Sequence, residues 1–304
     1  MNSYEGILPI MKPAGFTSHD VVAKSRGILK MKRIGHTGTL DPAVTGVLPL
    51  CLGRATRVVE YLQELPKEYE ATLVLGLATD TEDMTGNVLE RLEQVSVTEA
   101  EVREVLEQFV GTISQVPPMY SALKQDGKRL YELAREGKTV ERQPREVSIH
   151  ELELLALNLD PVHPKIKFRT LCSKGTYIRT LCVDIGRALG VPAVMEQLER
   201  TMSAGFREEQ CLTLEQLAEE VQKGTLPSRL IPVDHAVSHL PAHTVNEEKV
   251  KAALQGQRLS RSVVQPPAAP GETIRLYSPE QQFLGIYLVE ESGAVAPVKV
   301  FLPE

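Results

Sequence analysis

The residues whose types could do chemistry converge on one loop. From 35 to 57 the chain reads Gly-His-Thr-Gly-Thr-Leu-Asp-Pro-Ala-Val-Thr-Gly-Val-Leu-Pro-Leu-Cys-Leu-Gly-Arg-Ala-Thr-Arg, and Asp41 is its one acid. Gly35, Gly38 and Gly46 permit backbone conformations closed to other residues and let a bulky ligand approach the main chain. Pro42 fixes its own φ and moves Asp41 out of the helical region. A lone carboxylate on a stiff loop, ahead of the apolar run Val47 to Leu52, suits a nucleophile or general base. The same composition suits an Asx turn, whose carboxylate only bonds the backbone two residues on, and taken alone it favours that turn.

The common enzyme signatures are missing. There is no phosphate-binding G-x-x-x-x-G-K-[ST] and no G-x-G-x-x-G after a strand. G-x-S-x-G and H-E-x-x-H are absent too. His19, His36, His150 and His163 have no ligand spacing with any cysteine, and Asp80, Glu82 and Asp83 with Gly86 lack the spacing of a calcium loop. Cys51, Cys172, Cys182 and Cys211 are far apart in apolar contexts, which fits reduced thiols in a cytosolic protein. No apolar run is long enough to span a bilayer, and the first residues carry no secretory signal.

The net charge is -6, yet the charges are segregated. Basic residues dominate from Ile10 to Arg57 and from His163 to Arg179, while acids collect in Glu82 to Glu107 and Glu208 to Glu220. Segregation permits a basic groove on an acidic protein, although solvated faces would give the same runs.

The elements that must position Asp41 follow from local pattern. A strand over residues 6–11 turns at Lys12-Pro13-Ala14-Gly15, and Thr17 or Ser18 caps a helix to about Leu29. A short helix is expected over 55–62. Tyr69, Ala71, Leu73, Leu75 and Leu77 alternate with more polar neighbours, which predicts one half-buried strand over 69–78. Thr98 and Glu101 form a capping box for a helix that Gly111 closes. Residues 147–157 and 165–172 read as a β-hairpin. A helix then runs to about Leu189 with Gly190 as its stop, and Thr213 caps another. Ahead of that hairpin, residues 118–146 form a proline-led excursion carrying Lys124, Lys128, Arg129, Arg135, Lys138, Arg142 and Arg145, a composition that points to function. From about Pro232 a helix of moderate length over 247–254, a proline-rich loop and two or three strands outline a small β module. No internal repeat is evident.

Lys12-Pro13, Gly-His-Thr-Gly-Thr-Leu-Asp-Pro with Thr45-Gly46, Tyr69, Met119-Tyr120-Ser121-Ala122-Leu123-Lys124 and Ser173-Lys174-Gly175-Thr176-Tyr177-Ile178-Arg179 together resemble the bacterial TruB family, the tRNA pseudouridine-55 synthases. The resemblance runs from the N-terminus to at least Phe206. It implies an α+β pseudouridine synthase fold with a mixed, mostly antiparallel sheet, spanning 1–235, with 118–146 as an inserted RNA-binding thumb. It also implies a PUA-like RNA-binding module over 236–304. The activity implied is isomerisation of uridine to pseudouridine in the T arm of tRNA by a cytosolic monomer. No cofactor or metal is implied, because a glycosidic bond is broken and remade with nothing oxidised and no group imported.

The resemblance implies that Asp41 is the catalytic aspartate and Arg179 its partner, a guanidinium that holds it ionised and oriented. Tyr69 would stack on the target base. Tyr177 and Leu198 would wall the pocket, with Lys12 supporting it. His36 would fill the space left in the RNA when the nucleotide flips out. Lys124, Lys128 and Arg129 would bind RNA from the thumb. In Leu198-Glu199-Arg200-Thr201, Glu199 stands where many relatives have arginine, which puts a phosphate contact there in doubt. Two rivals remain: a guide-RNA-dependent relative acting on ribosomal RNA, and a non-catalytic RNA-binding protein or tRNA-folding chaperone, a role that could also coexist with catalysis.

Overall fold

The computed structural model describes residues 4–121, 123–125 and 127–302. Met1 to Ser3, Ala122 and Asp126 of the excursion, and the last two residues of the C-terminal module lie outside the described residues.

Among the described residues nine strands form the main sheet. In spatial order the path runs Gly6–Lys12, Thr45–Leu52, Ala193–Ser203, Lys67–Leu75, Lys165–Cys172, Arg145–Asn158 and Gly111–Gln115. Ile34–His36 and Phe206–Arg207 pair at its flanks. Every pairing is antiparallel except that of Ala193–Ser203 with Thr45–Leu52. The fold is therefore α+β around a mixed, mostly antiparallel sheet, as expected.

The alternation read in the sequence has its cause in one covered face. Tyr69, Ala71, Leu73 and Leu75 pack with Val102, Leu106, Leu181 and Ile185, from helices Glu99–Gln108 and Ile178–Ala188. The run Val47 to Leu52 is apolar throughout because both its faces are covered. Leu48, Leu50 and Leu52 meet helices Ser18–Leu29 and Leu214–Lys223, whereas Val47 and Cys51 meet Val233, Ile286 and Phe301 on the other side. Of the two caps expected for the first helix Thr17 takes the place, and Thr17, Thr98 and Thr213 each close a capping box.

Several local expectations need correction. The strand expected over 69–78 is two, Lys67–Leu75 and Leu77–Thr79, broken at Gly76, whose φ of +85° and bond to the Pro192 carbonyl leave the ladder. The helix expected over 55–62 begins as a 3-10 turn, Gly53–Val58, and becomes α only over Val59–Glu64. Gly111 does not close the helix before it but opens the strand Gly111–Gln115. Ala193–Ser203, left without an assignment, is an eleven-residue strand at the centre of the sheet. Cys211 is only half-buried, unlike the other three cysteines.

The C-terminal part forms a second, six-stranded sheet between Ala242 and Val300, larger than the two or three strands expected. It is clamped to the first unit by Arg57, which donates to the Val300 carbonyl and lies 5.3 Å over the Phe301 ring. A Lys299–Glu60 ion pair at 2.8 Å adds to the clamp.

Candidate active site

One register row across four adjacent strands sets the floor of the site. Lys12 pairs with Gly46, Gly46 with Arg200, and Arg200 with Tyr69. Gly46 allows the row to close. Its φ is +116°, and a Cβ there would sit 2.3 Å from the Arg200 carbonyl oxygen, well inside van der Waals contact. This glycine sits at the sheet's one parallel junction, where the Ala193–Ser203 strand meets the strand that follows the Asp41 loop.

The loop carrying Asp41 is pinned from several directions. Leu40 and Val44 are buried on either side of it. The Leu40 amide donates to the Ser18 hydroxyl at 2.9 Å, and the Gly15 amide donates to the Pro42 carbonyl at 2.8 Å. Lys12, fully buried, donates from Nζ to the carbonyls of Pro13 (2.9 Å) and Pro42 (3.1 Å). Burial lowers the Lys12 pKa to about 8, with nearby Asp41 acting the other way. The Asx-turn alternative is displaced, because the Asp41 carboxylate faces Arg179, Oδ2 to Nη2 at 3.0 Å.

Arg179 belongs to the first turn of helix Ile178–Ala188, for which Tyr177 is the N-cap. Gln115 grips the Tyr177 backbone at both ends, accepting from its amide (3.0 Å) and donating to its carbonyl (3.3 Å). The Arg179 guanidinium is almost fully buried and donates to the carbonyls of Thr81 (3.1 Å) and Tyr120 (2.8 Å). The Thr81 hydroxyl donates to the Asp83 carboxylate at 2.7 Å, and Asp80 and Asp83 cap the 79–87 turn by accepting from the amides of Asn87 and Thr85. A planar fork with three fixed acceptors leaves the carboxylate little freedom.

These groups face a cleft of about 390 Å³ whose wall includes Thr37 to Asp41, Lys67, Tyr69, Ser121, Lys174 to Arg179, Leu198 and Arg200. Of the expected site residues, Asp41, Tyr69, Tyr177, Arg179 and Leu198 line it. Burial pushes the phenols of Tyr69 and Tyr177 up, so both stay protonated donors at neutral pH. Lys12 sits beneath the cleft rather than in its wall. His36 lies next to the wall residue Thr37, its Nδ1 accepting from the Gly38 amide at 3.3 Å, and burial lowers its pKa toward a neutral ring.

Lys128 and Arg129 are not among the residues that line the cleft, although Ser121 of the same excursion is. Lys124 and Arg129 pair in the short hairpin Lys124–Gln125 and Lys128–Arg129. Lys128 pairs with Glu136 at 3.1 Å, and the Arg129 guanidinium lies 5.8 Å over the Tyr131 ring. Glu199 accepts from the Thr45 hydroxyl at 3.2 Å, tying the parallel strands together where a phosphate contact was in doubt.

Sequence reasoning missed Lys67, Arg200, Thr37 and Ser121, all in the cleft wall. Lys67 stands two residues before Tyr69 in the strand, so an alternating pattern places both on one face. For Arg200 the available signal was a charge two residues beyond Leu198 in an extended run. Among the described residues no group of three or more His, Cys, Asp or Glu could hold a metal ion.

The chain matches three family models in succession. They are the TruB family pseudouridylate synthase N-terminal domain over 26–178, the tRNA pseudouridylate synthase B C-terminal domain over 179–238, and the pseudouridine synthase II TruB C-terminal model over 241–301. It is 44% identical over 299 residues to the tRNA pseudouridine synthase B of Bacillus pumilus, covering 97% of each chain. It is 45% identical over 303 residues to that of Oceanobacillus iheyensis, covering 98% of each. Among solved structures it resembles a chain of a Cbf5-Nop10-Gar1 complex (TM-score 0.77, 30% identity, 98% of this chain and 85% of that one). A chain of an H/ACA ribonucleoprotein bound to a substrate RNA gives a TM-score of 0.75 at 28% identity, again covering 98% and 85%. With all three models and full-length relatives in agreement, the chain belongs to the TruB family of pseudouridine synthases.

Proposed function

We propose that this enzyme isomerises uridine to pseudouridine at position 55 in the T arm of tRNA, acting in the cytosol as a monomer. The observation that carries this reading is the Asp41–Arg179 pair, 3.0 Å apart on the wall of a nucleotide-sized cleft that Tyr69 also lines. The tRNA assignment is supported by relatives at 44–45% identity that bear the name tRNA pseudouridine synthase B.

In the proposed reaction the target nucleotide leaves its stack and enters the cleft, at a cost of a few kcal/mol that His36 offsets by stacking in the vacated space. Asp41 attacks C1′ or balances its developing positive charge as the bond to N1 breaks. Arg179 fixes the carboxylate, and Tyr69 and Leu198 hold the base between them. The ring turns, C5 bonds to C1′, the C5 proton leaves and N1 regains one, so that substrate and product are isomers. Residues 1–235 form the catalytic unit in this reading. The thumb at 118–146, through Lys124, Lys128 and Arg129, and the PUA-like module at 236–304 grip the RNA.

The rival is a guide-dependent enzyme, and the long thumb favours stand-alone action. Incubation with an unmodified T-arm stem-loop, without guide RNA or partner protein, followed by chemical mapping of pseudouridine, decides between them. Conversion at one uridine supports the proposal, and conversion only with a guide overturns it.

A further inference from the structure

Two buried cations in the cleft have no anion of their own. Lys67 is 7% exposed and its Nζ donates to the carbonyls of Gln63 (2.6 Å) and Leu65 (2.7 Å). Arg200 is 1% exposed and donates to the carbonyls of Val47 (Nε, 2.8 Å) and Gly38 (Nη2, 3.2 Å). Each of these partners is a neutral carbonyl. Among the described residues neither cation forms an ion pair, whereas Arg179 has Asp41. The two also repel each other, since Arg200 lowers the Lys67 pKa in addition to burial. Burying like charges without a counter-ion is costly, and a fold that keeps such a pair in a cleft is completed by an anionic ligand. A second, independent feature belongs to a residue of the same wall. Thr37 Oγ1 is fully buried on the cleft wall with no hydrogen-bond partner, a donor awaiting an acceptor.

We propose that Lys67 and Arg200, with Thr37, form an anion-stabilising floor that takes the negative charge of the uracil ring once its bond to the ribose is broken; this rests on the isomerase reading above. When the C1′–N1 bond breaks, its electron pair stays with the ring and spreads over N1, O2 and O4, while Asp41 compensates C1′. The same electron pair then forms the C5–C1′ bond as Asp41 is released, and the C5 proton is lost as N1 is protonated. Lys67 and Arg200 transfer no proton and hold the anion electrostatically while it turns, as preorganised donors do for an oxyanion. A phosphate is the other anion these cations could take. It stays on the RNA strand, however, and the exposed Lys174 of the same wall, which among the described residues pairs with exposed Glu64, is the cation suited to it. What reaches a buried floor is the flipped base.

The test measures single-turnover rate, RNA affinity against salt, and thermal midpoint for Lys67→Gln and Lys67→Arg on an unmodified T-arm stem-loop. Lys67→Gln is expected to slow the chemical step about 100-fold. Its RNA Kd and salt slope stay as in the parent, its thermal midpoint is equal or higher, and Lys67→Arg regains about tenfold of the lost rate. An unchanged rate with weaker RNA binding and a salt slope reduced by about one would assign Lys67 to a phosphate and overturn the proposal. A lower midpoint with a rate loss that arginine does not restore would make it only a brace for the 63–65 carbonyls. A readout that needs no variant is inhibition of the parent enzyme by 5-nitrouracil, which is ionised at neutral pH. It should compete about tenfold better than uracil, and equal inhibition contradicts an anion-binding floor. Failure of the parent enzyme to form pseudouridine would refute the functional reading itself, whereas a fully active Lys67→Gln refutes only the floor.

Discussion

Gly46→Ala would separate the strands that bring the site together. The added Cβ would stand 2.3 Å from the Arg200 carbonyl oxygen, 2.6 Å from its amide nitrogen and 2.8 Å from its carbonyl carbon. All three are backbone atoms, so no rotamer change relieves the clash. The alanine must also hold a φ of +116°. Backbone strain of that kind costs about 1–3 kcal/mol. Overpacking adds about 1–3 kcal/mol. The sum, about 2–6 kcal/mol, is a large part of the 5–15 kcal/mol typical of a folded domain. Relief comes from moving the Ala193–Ser203 strand by about 1 Å, which shifts Arg200 and Leu198 relative to Asp41 and should slow turnover about 100-fold. The control is Gly190→Ala, where φ is +76° but no atom lies within 4 Å of the new Cβ. It should cost about 1 kcal/mol and leave the rate alone. Urea unfolding and single-turnover pseudouridine formation read both effects. If Gly46→Ala matched Gly190→Ala in both assays, the register row would not be what positions the site.

Other perturbations have equally definite outcomes. Arg179→Gln strands the Asp41 carboxylate and the Thr81 and Tyr120 carbonyls, so unfolding free energy should drop by about 3 kcal/mol and turnover by about 1,000-fold, read by urea melts and pseudouridine mapping. Tyr69→Phe removes a buried hydroxyl beside Arg200 but keeps the ring. It should leave RNA affinity within about twofold while slowing the chemical step, and a gel-shift titration beside the rate assay separates the two. Lys67 has its pKa lowered from the ordinary 10.5 to about 8, so above pH 8 the unfolded chain holds more protons there than the folded one. Stability from this group is therefore least below pH 8 and rises toward pH 10.5. The buried thiols, pushed up by burial, act in the opposite direction above pH 9. The comparison that isolates Lys67 is with Lys67→Met. The parent should gain on the variant in urea midpoint as pH climbs through 8, and a constant difference would contradict the lowered pKa.

The Asp41 loop was legible because its signals are local: glycines, a proline and one acid within a few residues. The caps at Thr98 and Thr213 were legible for the same reason, each being a threonine with a glutamate or glutamine three residues on, while the choice between Thr17 and Ser18 was settled only by the bonds Thr17 makes with Asp20. Pairing with Arg179, 138 positions away, is not local and came only through the family resemblance. The Ala193–Ser203 strand was missed because its alternation is broken twice, by register shifts between Met195 and Gln197 and between Arg200 and Met202. Those irregularities turn Arg200 into the floor, and a charged residue in a broken pattern looks like surface. Lys67 was passed over for a related reason. A lysine opening a strand is ordinarily solvated, and only the packing of the 63–65 segment over it buries the ammonium. The second sheet was under-read because three of its strands have four residues or fewer, too short for periodicity to register.

The most direct measurement compares the parent enzyme with Asp41→Asn on unmodified tRNA, following pseudouridine by chemical mapping and binding by filter retention. Asparagine keeps the size and one oxygen of the side chain but removes the charge that Arg179 faces. The parent should convert one uridine in the T arm. Asp41→Asn should bind the tRNA with a Kd within about threefold of the parent and form no pseudouridine. Turnover by Asp41→Asn at a rate near the parent's would contradict the assignment of chemistry to this carboxylate.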